Sequence, residues 1–113
     1  MVDDQGIQFK RQAKDYQEEL LNQLYQVIDP ELGIDIVNLG LIYEIDLDEL
    51  GNCRLMMTLT TPGCPLAAYI DNDIRFALAD IEAIQRLELQ LTFTPAWTLD
   101  RISRFGKIAL GIK

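Results

Sequence analysis

The sequence predicts a small single α/β (α+β) domain of order α-β-β-α-β-α, with a three-stranded mixed sheet and helices packed on one face. Three observations predict it. Apolar residues recur at helical spacing in three stretches. They alternate with polar residues in three others. Pro, Gly and Asn punctuate the joints between them. The 113 residues make one domain, and a 49% hydrophobic content is enough for a core.

Residues 1–14 show no periodicity and read as a flexible N-terminal tail, which leaves 15–113 as the domain. From Asp15 the pattern is helical: Leu20, Leu24, Val27 and Ile28 fall on one face, opposite Glu18, Glu19 and Gln23. Pro30 ends this helix, because it disfavours helical geometry at Asp29. The loop Asp29 to Gly40 follows. In the first strand Leu41, Tyr43, Ile45 and Leu47 alternate with Ile42, Glu44 and Asp46. In the second, Cys53, Leu55, Met57 and Leu59 alternate with polar and mixed partners. Gly51-Asn52 reads as the hairpin turn between them.

After the loop Thr60 to Pro65, a second helix starts near Pro65 and carries Leu66, Ile70, Ile74, Ala77, Ile81 and Ile84. Leu87, Leu89, Leu91 and Phe93 form the third strand, which a right-handed crossover makes parallel to the second. Thr98 resembles an N-cap for a last helix containing Leu99, Ile102 and Phe105. Each strand is apolar on one side only, so the sheet should hold helices there and leave its other face wet.

Charge and composition exclude several classes. Eighteen acidic against ten basic residues give a net charge of −8. Such a surface repels phosphate backbones, so no nucleic-acid partner is expected. The chain has no histidine, which removes Ser-His and Cys-His nucleophiles and histidine metal sites. No apolar run approaches the roughly 20 residues of a membrane span, and the N-terminus lacks an apolar signal core. Two cysteines do not make a secreted disulfide scaffold. The reading is a cytoplasmic protein with reduced thiols. P-loop, GxGxxG, CxxC and GxSxG motifs are missing, and no enzyme activity is expected.

Among residues able to do chemistry, Cys64 stands out, within Thr60-Thr61-Pro62-Gly63-Cys64-Pro65. It lies where a strand gives way to a helix, and the backbone N–H groups there favour a thiolate. Gly63 permits the tight turn, Pro65 fixes the helix start, and Thr60 and Thr61 supply hydroxyls. That arrangement suits a nucleophilic thiol or a soft-metal ligand, as an alternative to a plain cap-like residue. Cys53, on the apolar side of a strand, reads as core packing. Two cysteines cannot furnish the four usual ligands of an iron–sulfur cluster, so any binding would be transient and shared. Residue chemistry alone reads Asp29 as a turn-former beside Pro30 and Glu31 as solvated, against a role in orienting the Cys64 loop. Trp97 reads as covering a core edge or as facing a partner, with Arg101 and Ser103 on the same segment.

Three segments carry a family resemblance: DPELGIDIVNLGLIYEI (Asp29 to Ile45), MTLTTPGCPL (Met57 to Leu66) and TPAWTLDRIS (Thr94 to Ser103). They are similar to the signatures of the metal–sulfur cluster assembly (MIP-eighteen-like) family and span nearly all of the chain after residue 15. The resemblance implies a small α/β domain that aids iron–sulfur cluster maturation or transfer to client proteins. It implies a functional cluster at Asp29, Glu31, Leu32, Thr60, Thr61 and Cys64, which shifts Asp29 and Glu31 toward function. It also implies partners among SUF-type assembly proteins and client apo-proteins. Cys64 is the expected transient metal ligand, no cofactor is tightly bound, and Trp97, Arg101 and Ser103 form a partner surface. The missing C-terminal cysteines and P-loop ATPase leave the stand-alone bacterial SufT-like type. The competing expectation is an interaction scaffold that binds no metal. A free sheet edge makes a homodimer plausible.

Overall fold

The computed structural model describes residues 6–60, 64–94 and 96–111, with the side chains of all of these except Cys64 and Pro65. The elements run β1 (Gln8–Arg11), a 3-10 turn (Gln12–Tyr16), α1 (Gln17–Leu24), β2 (Ile42–Leu47), β3 (Asn52–Met57), α2 (Cys64–Leu78), β4 (Arg86–Leu91), a second 3-10 turn (Leu99–Arg101) and α3 (Arg104–Leu110). The sheet order is β1-β2-β3-β4. β2 and β3 pair antiparallel; β1 on β2 and β4 on β3 are parallel. The expected hairpin and the parallel third strand are both present.

The strand count is corrected from three to four. The extra strand comes from within residues 1–14, where no period is visible. Gln8 to Arg11 is too short for a pattern to emerge, and β2's free edge supplies the partner that makes it a strand. Phe9 goes into the core while Gln8 and Lys10 face out, with Ile7 buried just before the strand.

Register within β2 also differs. Simple alternation puts Tyr43 on the core side and Ile42 opposite. A bulge between Ile42 and Glu44 sets Ile42 across from Met57, and both are fully buried. A bulge inserts one residue and reverses the faces that follow it. Ile42, Ile45 and Leu47 therefore meet Leu55, Met57 and Cys53 in the core. Leu20, Leu21 and Leu24 of α1 and Ile70 and Ile74 of α2 complete it. The opposite face carries Lys10, Glu44, Asp46 and Arg54, tied by ion pairs.

Both long helices are shorter than their apolar period. α1 ends at Leu24, because Val27 and Ile28 are extended: Ile28 bridges Asp35, and the Val27 carbonyl accepts from Ile36 N–H at 3.0 Å. α2 ends at Leu78, and Ile81 is buried from a following turn. The last helix begins at Arg104, not after Thr98. Ser103 is its N-cap, accepting from Gly106 N–H at 3.0 Å, while the Thr98 side chain caps nothing. No helix among the described residues is long and apolar enough to cross a membrane.

Candidate functional site

The loop between α1 and β2 is irregular but densely bonded. Asp29 N–H donates to the Ile34 carbonyl at 2.9 Å, and Gly33 N–H returns to the Asp29 carbonyl at 2.8 Å. Gly33 closes the turn at φ 73°, which a side chain would disfavour. Asp29 is fully buried; its Oδ1 accepts from Glu31 N–H at 2.8 Å and Leu32 N–H at 3.2 Å. The turn-forming role expected of Asp29 is thus present. Its other oxygen, Oδ2, is buried with no hydrogen-bond partner among the described residues. A buried acceptor left unmade costs roughly 1–3 kcal/mol, so the fold holds a polar atom beyond what the turn requires.

Further along, Asp35 accepts from the backbone and side-chain N–H groups of Asn38 at 2.8 and 2.7 Å. This fixes the three successive residues Asn38, Leu39 and Gly40 for contact with the C-terminal segment. Ser103 N–H donates to the Asn38 carbonyl at 2.7 Å, and the Ser103 hydroxyl lies 2.6 Å from Asn38 Oδ1. Trp97 Nε1 donates to the Leu39 carbonyl at 2.6 Å. Arg101 Nε donates to the Gly40 carbonyl at 2.7 Å, with its guanidinium 4.2 Å from the centre of the Tyr43 ring. Gly40, at φ 72°, lets this happen: a Cβ there would overlap the Arg101 carbonyl oxygen. The segment's mixed extended and 3-10 path serves these contacts, since positions 97, 101 and 103 share no single helix face.

This stitching opens a cavity of about 380 Å³ between the two segments. Glu31, Leu32 and Thr60 line one side; Trp97, Leu99, Ile102 and Leu110 line the other. The structure therefore brings Glu31, Leu32 and Thr60 together, adds Trp97 to them, and seats Asp29 beneath as the turn's anchor. Thr61 lies outside the described residues. Cys64 is the first residue of the 15-residue α2, and its side chain lies outside them too. Arg101 and Ser103 are taken up in holding the loop. Two other cavities, of about 550 and 370 Å³, adjoin Arg11 and contain none of these residues.

Cys53 is buried, and burial, with a smaller push from the Asp46 charge, raises its thiol to about 11. It is a core residue with a protonated sulfur at neutral pH. No group of three or more Cys, Asp or Glu able to hold a metal occurs among the described residues. Sequence reasoning missed Asp35, Asn38 and Gly40 as builders of the site. The Asp-x-x-Asn spacing in DIVNLG carried a signal, since Asp habitually bonds backbone N–H groups two or three residues on. Nothing local pointed to Ser103 as the partner of Asn38, 65 residues away.

Comparison with known proteins follows the same outline. The family model described as "Iron-sulfur cluster assembly protein" matches residues 17–89. The chain is 50% identical over 96 residues to the Fe-S protein maturation auxiliary factor YitW of Bacillus subtilis, covering 85% of this chain and 94% of that one. It is 51% identical over 86 residues to the auxiliary factor SufT of Staphylococcus aureus, covering 76% and 98%. Among solved structures, a domain of unknown function from Bacillus anthracis superposes with a TM-score of 0.81 at 42% identity, over 88% of this chain and 95% of that one. A conserved hypothetical protein from Thermotoga maritima gives 0.71 at 45%, over 84% and 93%. With the matched span covering most of the chain, and stand-alone SufT-like relatives matched over nearly their full length, this protein belongs to the iron–sulfur cluster assembly protein family.

Proposed function

We propose that the protein is an accessory factor in iron–sulfur protein maturation, which handles a cluster in transit through the Cys64 thiolate. One observation carries the thiol assignment: burial holds Cys53 protonated, which leaves Cys64, the first residue of α2, as the chain's other thiol. The helix dipole and the free N–H groups of a first turn favour the anionic form of a thiol there. The cluster is cargo. One thiolate per chain supplies one of about four ligands, so the others come from a client, a small thiol or a second copy. That makes release straightforward, and on this reading the protein keeps no tightly bound cofactor of its own. The cavity beside Thr60, with the Glu31 carboxylate and the Trp97 ring on its walls, is where a client's receiving segment would approach. On this reading the partners are SUF-type assembly proteins and client apo-proteins in the cytoplasm, and the protein turns over no substrate alone.

A scaffold that docks partners without touching metal is the second reading. It is favoured by Leu99, Phe105 and Ile108, which stand 52–70% exposed around α3. Anaerobic reconstitution with iron and sulfide separates the two. The wild type and Cys53→Ser should develop cluster absorption, and Cys64→Ser should not. No cluster in any of them, under conditions that load a known carrier, would leave the scaffold reading in place.

A further inference from the structure

The two edges of the sheet are built differently. β1 has four residues, carries Lys10 and Arg11, and turns away at Arg11, whose φ of 54° is the sole positive value at a described non-glycine residue. Shortness, charge and a sharp turn are the usual guards of an exposed edge. β4 lacks the shortness and the sharp turn, and its two charges, Arg86 and Glu88, lie among the residues whose backbone groups face β3. It is six residues long, pairs with β3 without a register shift, and contains no Lys, Pro or bulge.

The parallel ladder fixes which of its backbone groups are free. Arg86 and Thr92 N–H donate toward β3, to the Gly51 and Met57 carbonyls at 3.0 and 2.8 Å. The alternation of a strand then turns the N–H and C=O groups of Leu87, Leu89 and Leu91 outward. Among the described residues, one of these six groups has a partner across that edge: the Leu87 carbonyl accepts from Arg75 Nη1 at 2.9 Å. The side chains make the edge more apolar still. Leu87 and Leu89 are half-buried at the rim of the core, and Leu91 and Phe93 are 43% and 46% exposed.

We propose that β4 is the seam of a symmetric homodimer, in which a second copy adds its own β4 antiparallel and the two sheets become one of eight strands. This goes beyond the maturation role and stands independently of it. A two-fold axis at Leu89 satisfies all three outward residues, with Leu89 opposite Leu89 of the other copy and Leu87 opposite Leu91. On the wet face the same register sets Glu88 against Gln90 twice and opposes no like charges. Gln90 already donates to Glu88 within the strand, at 2.9 Å, so the donor is at hand. Arg75 need not leave, because a carbonyl oxygen has two acceptor sites.

Sedimentation equilibrium over a concentration series tests this. The wild type should self-associate to a dimer, and Leu91→Lys, at an exposed position, should abolish it while circular dichroism shows an unchanged fold. Gln90→Lys places a cation against Glu88 of the other copy on both sides of the axis and should tighten the dimer roughly tenfold. A wild type that stays monomeric at millimolar concentration overturns the proposal. So does a dimer indifferent to both substitutions, which would lie elsewhere on the molecule.

Discussion

The Asp29–Gly40 loop and the wet face of the sheet both join distant parts of the chain, but by opposite means. The loop is fixed by short directional hydrogen bonds, nearly all using backbone groups: Ser103 on Asn38, Trp97 on Leu39, Arg101 on Gly40. The wet face is held by side-chain charges, Lys10 on Glu44, Arg11 on Asp46 and Arg54 between them, with the cations 43–61% exposed. Backbone bonds in a close-packed joint depend on shape and tolerate salt. Exposed ion pairs depend on protonation and ionic strength. The site therefore sits on a joint held by packing and directional hydrogen bonds rather than by exposed ion pairs.

The largest break in that contrast should come from Gly40→Ala. The new Cβ meets the Arg101 backbone at a left-handed φ, so both shape and conformation oppose it. A loss of about 2–4 kcal/mol is expected in denaturant unfolding, with the Trp97 fluorescence altered in whatever remains folded. A wild-type midpoint would mean that the two segments do not meet as described. Next in size is Ser103→Ala, which removes the α3 cap and the Asn38 contact together. About 1–2 kcal/mol should be lost, with little dependence on salt.

The smallest effect belongs to the charged face. The hydrogen bond from Lys10 chiefly, helped by Arg54, holds the Glu44 carboxyl below its usual value; that from Arg11 does the same for Asp46. A carboxylate lowered on folding adds stability above its unfolded pKa of about 4. That stability is lost as pH falls through the lower, folded value. Glu44→Gln with Asp46→Asn should cost about 1 kcal/mol or less at neutral pH and flatten stability against pH below about 4. High salt should mimic part of the loss in the wild type and none of it in the double variant. An equal salt response in Ser103→Ala and the wild type, set against a reduced one in the double variant, would sharpen the distinction between the two regions.

Much of this fold is legible in local pattern. The hairpin, the three helices and the parallel strand after α2 follow from where apolar residues recur and where Gly and Pro interrupt them. Three of the errors share one cause. β1, the bulge at Tyr43 and the early end of α1 are all settled by a pairing partner distant in sequence: β2's edge for Gln8–Arg11, Met57 for Ile42, Asp35 and Ile36 for the chain at Val27 and Ile28. A four-residue strand or an inserted residue is too small to leave a period. At the site, Asp29, Glu31 and Thr60 were identifiable as polar types in turn-rich segments, and Leu32 came only with the family resemblance. That Trp97 shares a cavity with three of these four was not identifiable, because they come from separate segments of the chain, all of them far from it in sequence.

By itself the sequence determined the residue types and their local tendencies. It set a thiol at a strand-to-helix junction, a second thiol on an apolar face, acids beside a proline, and enough apolar residues for one core. Tertiary structure alone decided the rest. Burial, to which Asp46 adds, raises the Cys53 thiol. Packing turned Trp97, Arg101 and Ser103 onto three consecutive residues of the loop. It left one Asp29 oxygen buried without a donor among the described residues. Desolvation and hydrogen-bond geometry are properties of what surrounds an atom, and a linear pattern carries no record of neighbours that only folding supplies.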